Sequence, residues 1–236
     1  MSASVQLAEL PVLLRGEARP IRGWMNDWSG MRVAFCLGVV VMGTAAFGAA
    51  LGSWRAPQQA LYTAIKLPGI LLLTALGNGL LNAMLAPLLG LNLSLRQSLL
   101  AVLLSFTISA ALLGAFSPLL AFLLWNVPPL TAASPQSLTT HSLILVTETA
   151  MIACAGVVAN LRLVQLLREL SGSRGIARKV LLAWLAGNLM LGSQLAWILR
   201  PFVGSPLLPV QFLRPDAFQG NFFELIWLAI RQLLFP

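Results

Sequence analysis

Residues 97–125 read QSLLAVLLSFTISAALLGAFSPLLAFLLW, without a single Asp, Glu, Lys or Arg. About 20 such residues suffice to cross about 30 Å of hydrocarbon as a helix. This run exceeds that length, and Pro118 interrupts its hydrogen bonding, so a strong tilt or a break near Ser117-Pro118 is expected. Working outward, four further runs qualify as spans: 33–53, 67–89, 142–167 and 180–199. Residues 221–235 form a shorter stretch that contains Glu224 and Arg231, with Phe222, Leu225, Ile226, Ala229 and Leu233 at helical spacing. An interfacial helix fits it better than a short sixth span.

The composition agrees with this reading. Of 236 residues, 58% are hydrophobic and only 9% are charged, against about 25% in a soluble domain. Mean hydropathy is +0.85. Too little polar surface is available for a soluble enzyme, and the apolar content excludes a disordered tail or a disulfide-rich secreted module. The expected fold class is all-α: a polytopic transmembrane bundle of five spans plus a C-terminal interfacial helix. It divides into a leader (1–32), a five-span domain (33–199) and a Pro/aromatic tail (200–236).

The formal charge is +8. The cations sit between apolar runs, which points to lipid headgroups and topology rather than nucleic acid. Ten of them fall on one side of a five-span chain: Arg15, Arg19, Arg22 and Arg32, then Arg96, then Arg162, Arg168, Arg174, Arg178 and Lys179. The other side has Arg55, Lys66, Arg200, Arg214 and Arg231, with none in the 126–141 loop. Lys and Arg accumulate on the cytoplasmic side, so the N-terminus is expected inside and the C-terminus outside a cell inner (plasma) membrane. Pro128, Pro129 and Pro135 make the 126–141 loop an extended, non-helical connection. The leader is too long for an ordinary cleaved signal, and the first run reads as an uncleaved span. In the tight link between spans two and three, Gly90 suits a C-cap, and Asn92 or Ser94 an N-cap.

Polar groups in hydrocarbon are costly and each one needs a reason. Asn78 and Asn82 lie four apart on one face of the second span, beside Gly77 and Gly79. Glu148 stands between Thr147 and Thr149 in the fourth span, which also carries Asn160. Asn188 and Gln194 lie in the fifth, near Gly187 and Gly192. Close helix approach with amide hydrogen bonds accounts for such a set. The functional alternative is a polar seam formed by Asn78, Asn82, Glu148, Asn160, Asn188 and Gln194, which needs those faces to converge on a cavity. Glu148 is the only acid well inside a span. A neutral carboxyl bonded to a neighbouring helix is the ordinary outcome there, and a proton relay or cation ligand is the functional one.

No GxSxG elbow, HExxH or P-loop occurs, and Asp27 and Asp216 fall outside the spans. Cys36 and Cys154 have no CxxC partner, and His141 is the only histidine. Neither enzyme activity, nor a metal, nor a cofactor is therefore expected. The tail is the most distinctive stretch. Prolines 201, 206, 209 and 215 stiffen it, and it carries Arg200, Phe202, Phe212, Arg214, Asp216, Phe218, Phe222 and Glu224. These residues either form a folded lid on the bundle or a docking surface for a partner, since a stiff aromatic segment loses little entropy on binding.

Lys66-Leu-Pro-Gly at the head of the second span, Leu88-Leu-Gly at its end, and Ser94-Leu-Arg-Gln before a long span reaching Pro118 resemble the Yip1-like membrane proteins over residues 60–125. That resemblance implies a five-span scaffold or adaptor with a cytoplasmic N-terminus and an exterior or lumenal C-terminus, and no catalytic residues. The Arg200-Pro-Phe tail departs from the family pattern. Two functions therefore stand. One is a non-catalytic scaffold or accessory subunit of a membrane assembly, partnered by lipid and other membrane-protein subunits; the other is a subunit of a small-solute or ion transporter or channel. A cavity that reaches Glu148 discriminates between them.

Overall fold

The computed structural model describes residues 29–128, 135–204 and 209–224. The leader to residue 28 and the 225–236 part of the expected interfacial helix lie outside them. All regular structure among the described residues is helical: α1 (Gly30–Ser53), α2 (Pro57–Leu88), α3 (Leu95–Trp125), α4 (Pro135–Ser171) and α5 (Arg174–Leu199). Five helices are long and apolar enough to cross a membrane, α4 through its part Leu143–Ser171. The chain is thus read as a multi-pass membrane protein.

The helices pack as a ring in the order α2, α3, α4, α5, with α5 returning to α2; α1 lies across α2 and α3. Two apolar clusters fill the ring, one toward each end. The first joins Leu91, Leu93, Leu104, Leu167, Val180 and Trp184. The second joins Phe47, Leu51, Leu67, Leu120, Ile144 and Val203. The chain alternates between these ends with each helix, so α1 starts and α5 finishes at opposite ends of the bundle.

Several expectations are corrected. Of the two outcomes expected at Ser117-Pro118, the break is excluded, because helix α3 continues to Trp125. Pro118 cannot donate to the Gly114 carbonyl one turn back; the Ser117 hydroxyl donates to that carbonyl instead. The 126–141 loop is not wholly non-helical, because α4 begins at Pro135, where a proline is tolerated in a first turn. Helix α2 begins at Pro57, ten residues before the expected start, which places Lys66 inside a helix. Between α4 and α5 only a tight turn remains, made by Gly172 at φ +62° and by Ser173, whose side chain accepts from the Ile176 N–H.

The α2–α3 link follows its sequence signals. Gly90 takes φ +92°, with Gly90 N–H bonded to Pro87 O at 3.0 Å and Leu91 N–H to Ala86 O at 2.8 Å. This pair of bonds is the glycine-terminated helix end that recovers orphan carbonyls. Ser94, not Asn92, caps α3: its hydroxyl accepts from Gln97 N–H while the Gln97 side chain accepts from Ser94 N–H at 3.1 Å.

Candidate functional site

At the end of the bundle where α5 finishes, the chain turns back over α2. Gln59, Thr63 and Lys66 stand at i, i+4 and i+7 of α2, on one helical face, and are almost completely buried. They converge on two carbonyls that follow α5. Gln59 Nε2 donates to Pro201 O at 3.0 Å and Phe202 O at 2.9 Å. The Thr63 hydroxyl donates to Phe202 O at 2.6 Å, and Lys66 Nζ to Pro201 O at 3.0 Å. Lys66 Nζ also stands 5.0 Å from the centre of the Phe212 ring, which meets Tyr62 edge-on at 5.3 Å. The ammonium is therefore surrounded by a carbonyl dipole and an aromatic face rather than by a carboxylate.

Arg200 ties the next part of the segment. Its Nη2 bonds Asp216 Oδ2 at 3.0 Å, its Nη1 donates to Trp197 O at 2.6 Å, and its guanidinium lies 3.7 Å from the centre of the Trp197 ring. Trp197 Nε1 reaches Gln219 O at 3.2 Å. Of the tail aromatics, Phe202 faces the buried polar staple, Phe212 is partly covered, and Phe218 is 78% exposed. Phe222 packs edge-on against Phe223 at 5.6 Å. The Asn221 side chain caps the short turn at Glu224 through Glu224 N–H at 2.9 Å.

The staple has a measurable consequence. Replacing Gln59 by Leu together with Thr63 by Val removes three of the four bonds to the Pro201 and Phe202 carbonyls, at about 1 kcal/mol each. Chymotrypsin cleavage after Phe202 or Phe212, which precede Val203 and Leu213, is expected to accelerate more than tenfold while the helical bundle remains intact. Unchanged cleavage would show that apolar packing alone holds the segment.

Beneath the segment, between α4 and α5, lies a cavity of about 520 Å³. Glu148, Arg200, Arg214 and His141 line it, together with the rings of Trp197, Phe202 and Phe222. Glu148 is 9% exposed, and its Oε2 has no hydrogen-bond partner among the described residues. The flanking threonines give it none: Thr147 and Thr149 bond back to Leu143 O and Leu145 O of their own helix at 2.8 and 2.6 Å. Arg214 Nε is likewise buried and unpartnered among the described residues. Burial and the nearby Arg200 lower the Arg214 pKa, and Asp216 opposes them; a guanidinium nevertheless stays charged. Burial also lowers His141, against a backbone contact with Gly204 that raises it, so His141 enters the cavity as a neutral ring.

Among the described residues the six candidates for a polar seam do not share one surface. Asn78, Asn82 and Asn188 meet in the middle of the bundle. Asn78 Nδ2 donates to Asn188 Oδ1 at 2.5 Å and to Trp184 O at 3.2 Å, and Asn82 Nδ2 donates to Asn78 Oδ1 at 2.9 Å. This is a helix-joining node. Asn160 Nδ2 bonds Gly156 O of its own helix at 2.7 Å, and Gln194 is half-buried on α5. Neither residue shares the Asn78 node, and Glu148 belongs to the cavity.

Sequence reasoning missed Gln59, Thr63 and Lys66, because residues 55–66 read as a loop. Their spacing of four and three was the available signal. Among the described residues no group of His, Cys, Asp and Glu is arranged to hold a metal. No family model matches the chain, and no curated protein or solved structure matches it.

Proposed function

We propose that this chain is a non-catalytic membrane protein that binds a small charged molecule or headgroup at Glu148, as a subunit of a solute-handling system. The buried, unpartnered Glu148 oxygen on the wall of a cavity supports this reading most directly. A carboxyl with no partner at that depth is costly, and a ligand donor offsets the cost. A packed site with Glu148 bonded to a neighbouring helix would instead have favoured a purely structural carboxyl.

The test is native mass spectrometry of the wild type and Glu148→Gln after incubation with a total lipid and metabolite extract. The wild type is expected to retain a small-molecule adduct that Glu148→Gln loses, with both proteins unfolding at the same temperature. Equal adducts, or none on either protein, overturn the proposal.

The scaffold reading, which the Yip1-like resemblance also implies, draws support from a different observation. Phe218 and Phe223 are exposed on a segment whose backbone is fixed to α2 and α5, and rigid exposed aromatics suit a partner surface. In this reading the N-terminus faces the cytoplasm, and the cavity and tail face the exterior of a plasma membrane.

A further inference from the structure

We propose that the Glu148 cavity takes a zwitterion: a primary ammonium held by Glu148 and an anionic phosphate or carboxylate held by Arg214. The inference rests on the cavity being a ligand site and adds the class of ligand. Three charged side chains line it: Glu148, Arg200 and Arg214. Arg200 is already committed, to Asp216 at 3.0 Å and to the Trp197 ring and carbonyl. This leaves one carboxyl and one guanidinium, each with a buried atom that lacks a partner among the described residues. A simple cation would satisfy Glu148 and leave the buried Arg214 Nε without an acceptor. A simple anion would satisfy Arg214 and leave the buried Glu148 Oε2 without a donor. A molecule carrying both charges satisfies both groups, and charge-assisted hydrogen bonds of this kind are the strong ones. Neutral His141 adds no third positive charge to the wall.

The remaining wall is aromatic and aliphatic, from Trp197, Phe202, Phe222 and Leu145. Its rings suit the methylenes that join the two charges. Past Trp184, α5 has no fully buried residue, so the helix that flanks the cavity is only partly covered by the rest of the chain. Two sources therefore share the chemistry: the head of a phosphatidylethanolamine lipid and a free phosphoethanolamine or amino acid.

The experiment uses the full chain in detergent micelles and reads ligand retention by native mass spectrometry and thermal unfolding. The probes are phosphatidylethanolamine, phosphatidylglycerol, free phosphoethanolamine and ethanolamine. Retention of phosphatidylethanolamine about tenfold above phosphatidylglycerol, lost about tenfold in both Glu148→Gln and Arg214→Gln and restored in part by Arg214→Lys, is the expected result. Equal binding of free phosphoethanolamine assigns the site to a soluble zwitterion; binding of the lipid alone assigns it to a headgroup. The proposal is overturned if ethanolamine or phosphatidylglycerol binds as well as the zwitterions, or if Arg214→Gln retains them fully while its unfolding temperature is unchanged. It is also overturned if none of the four probes binds. In each of these cases a different adduct lost in Glu148→Gln leaves the broader cavity reading standing, and the absence of any such adduct removes both.

Discussion

Gly48→Leu is expected to prevent stable assembly of the helical bundle, whereas Gly38→Leu on the same helix leaves it intact. A Cβ built on Gly48 falls 2.6 Å from the Thr63 carbonyl oxygen, and one on Gly52 falls 2.5 Å from that of Gln59. On the α3 side, a Cβ on Gly43 falls 2.2 Å from Ala110 O. In every case the obstructing atom is backbone, so no rotamer change relieves the clash and the helices must separate. Around Gly38 nothing stands within 4 Å of the added carbon. Between apolar helices in lipid, close approach is itself the main attraction, because the tails are as apolar as leucine. Prying α1 from α2 therefore forfeits packing along the whole contact, and the cost reaches about 3 kcal/mol or more, the upper end for overpacking. Thermal unfolding in detergent checks it: a large loss for Gly48→Leu against little change for Gly38→Leu. Equal unfolding temperatures for the two variants would mean that α1 is not held by this approach. Loss of the α1–α2 contact also disturbs Gln59 and Thr63, which share that surface of α2 and hold the segment above the cavity.

The number and approximate place of the spans were legible because hydropathy over about 20 residues is a bulk property, insensitive to detail. Helix ends were less so. At Pro57 and Pro135 the helices extend beyond the apolar runs, since backbone hydrogen bonding continues wherever a first-turn proline and polar residues permit it. Pro118 pointed to a strong tilt or a break, and which of the two follows was not legible, because the neighbouring Ser117 hydroxyl serves the carbonyl that the proline abandons. The glycine end at Gly90 and the cap at Ser94 were readable because such signals are local.

Site geometry was legible only where it depends on one helix. The four-residue spacing of Asn78 and Asn82 placed them together, and they bond to each other. Glu148 was identified by its depth alone. What surrounds it was not readable, because the cavity combines α4, the end of α5 and residues near 214, which are distant in sequence. The long contact between Lys66 and Pro201 was hidden for the same reason: nothing at residue 66 announces a carbonyl 135 positions later.

The largest effect expected from a polar substitution lies away from the cavity, at Asn78. Asn78→Leu removes two donated bonds, to Trp184 O and Asn188 Oδ1, and one accepted from Asn82. Hydrogen bonds between membrane helices average about 0.6 kcal/mol and reach about 1.7, so three lost bonds amount to about 2 kcal/mol, with Asn82 and Asn188 left seeking partners. Leucine is also bulkier in a space shaped for the amide. A Cβ on Gly187 would collide with Asn78 Oδ1, so an alanine there must push the Asn78 amide away from its partners. Gly187→Ala is therefore expected to reproduce much of the Asn78→Leu defect. Asn160→Leu is the contrasting change: its amide bonds only its own helix, at Gly156 O, so its replacement severs no bond between helices and is expected to cost less than the Asn78 change. A double-mutant cycle between Asn78→Ala and Asn188→Ala measures the pair directly, with an expected coupling of about 1 kcal/mol. Additive effects would deny the node its role. Because α5 buries only Ala177, Val180 and Trp184, it has few other attachments. Trp197 and Arg200 at its far end help to form the cavity, so loosening α5 at Asn78 should weaken ligand retention without altering any residue that touches the ligand.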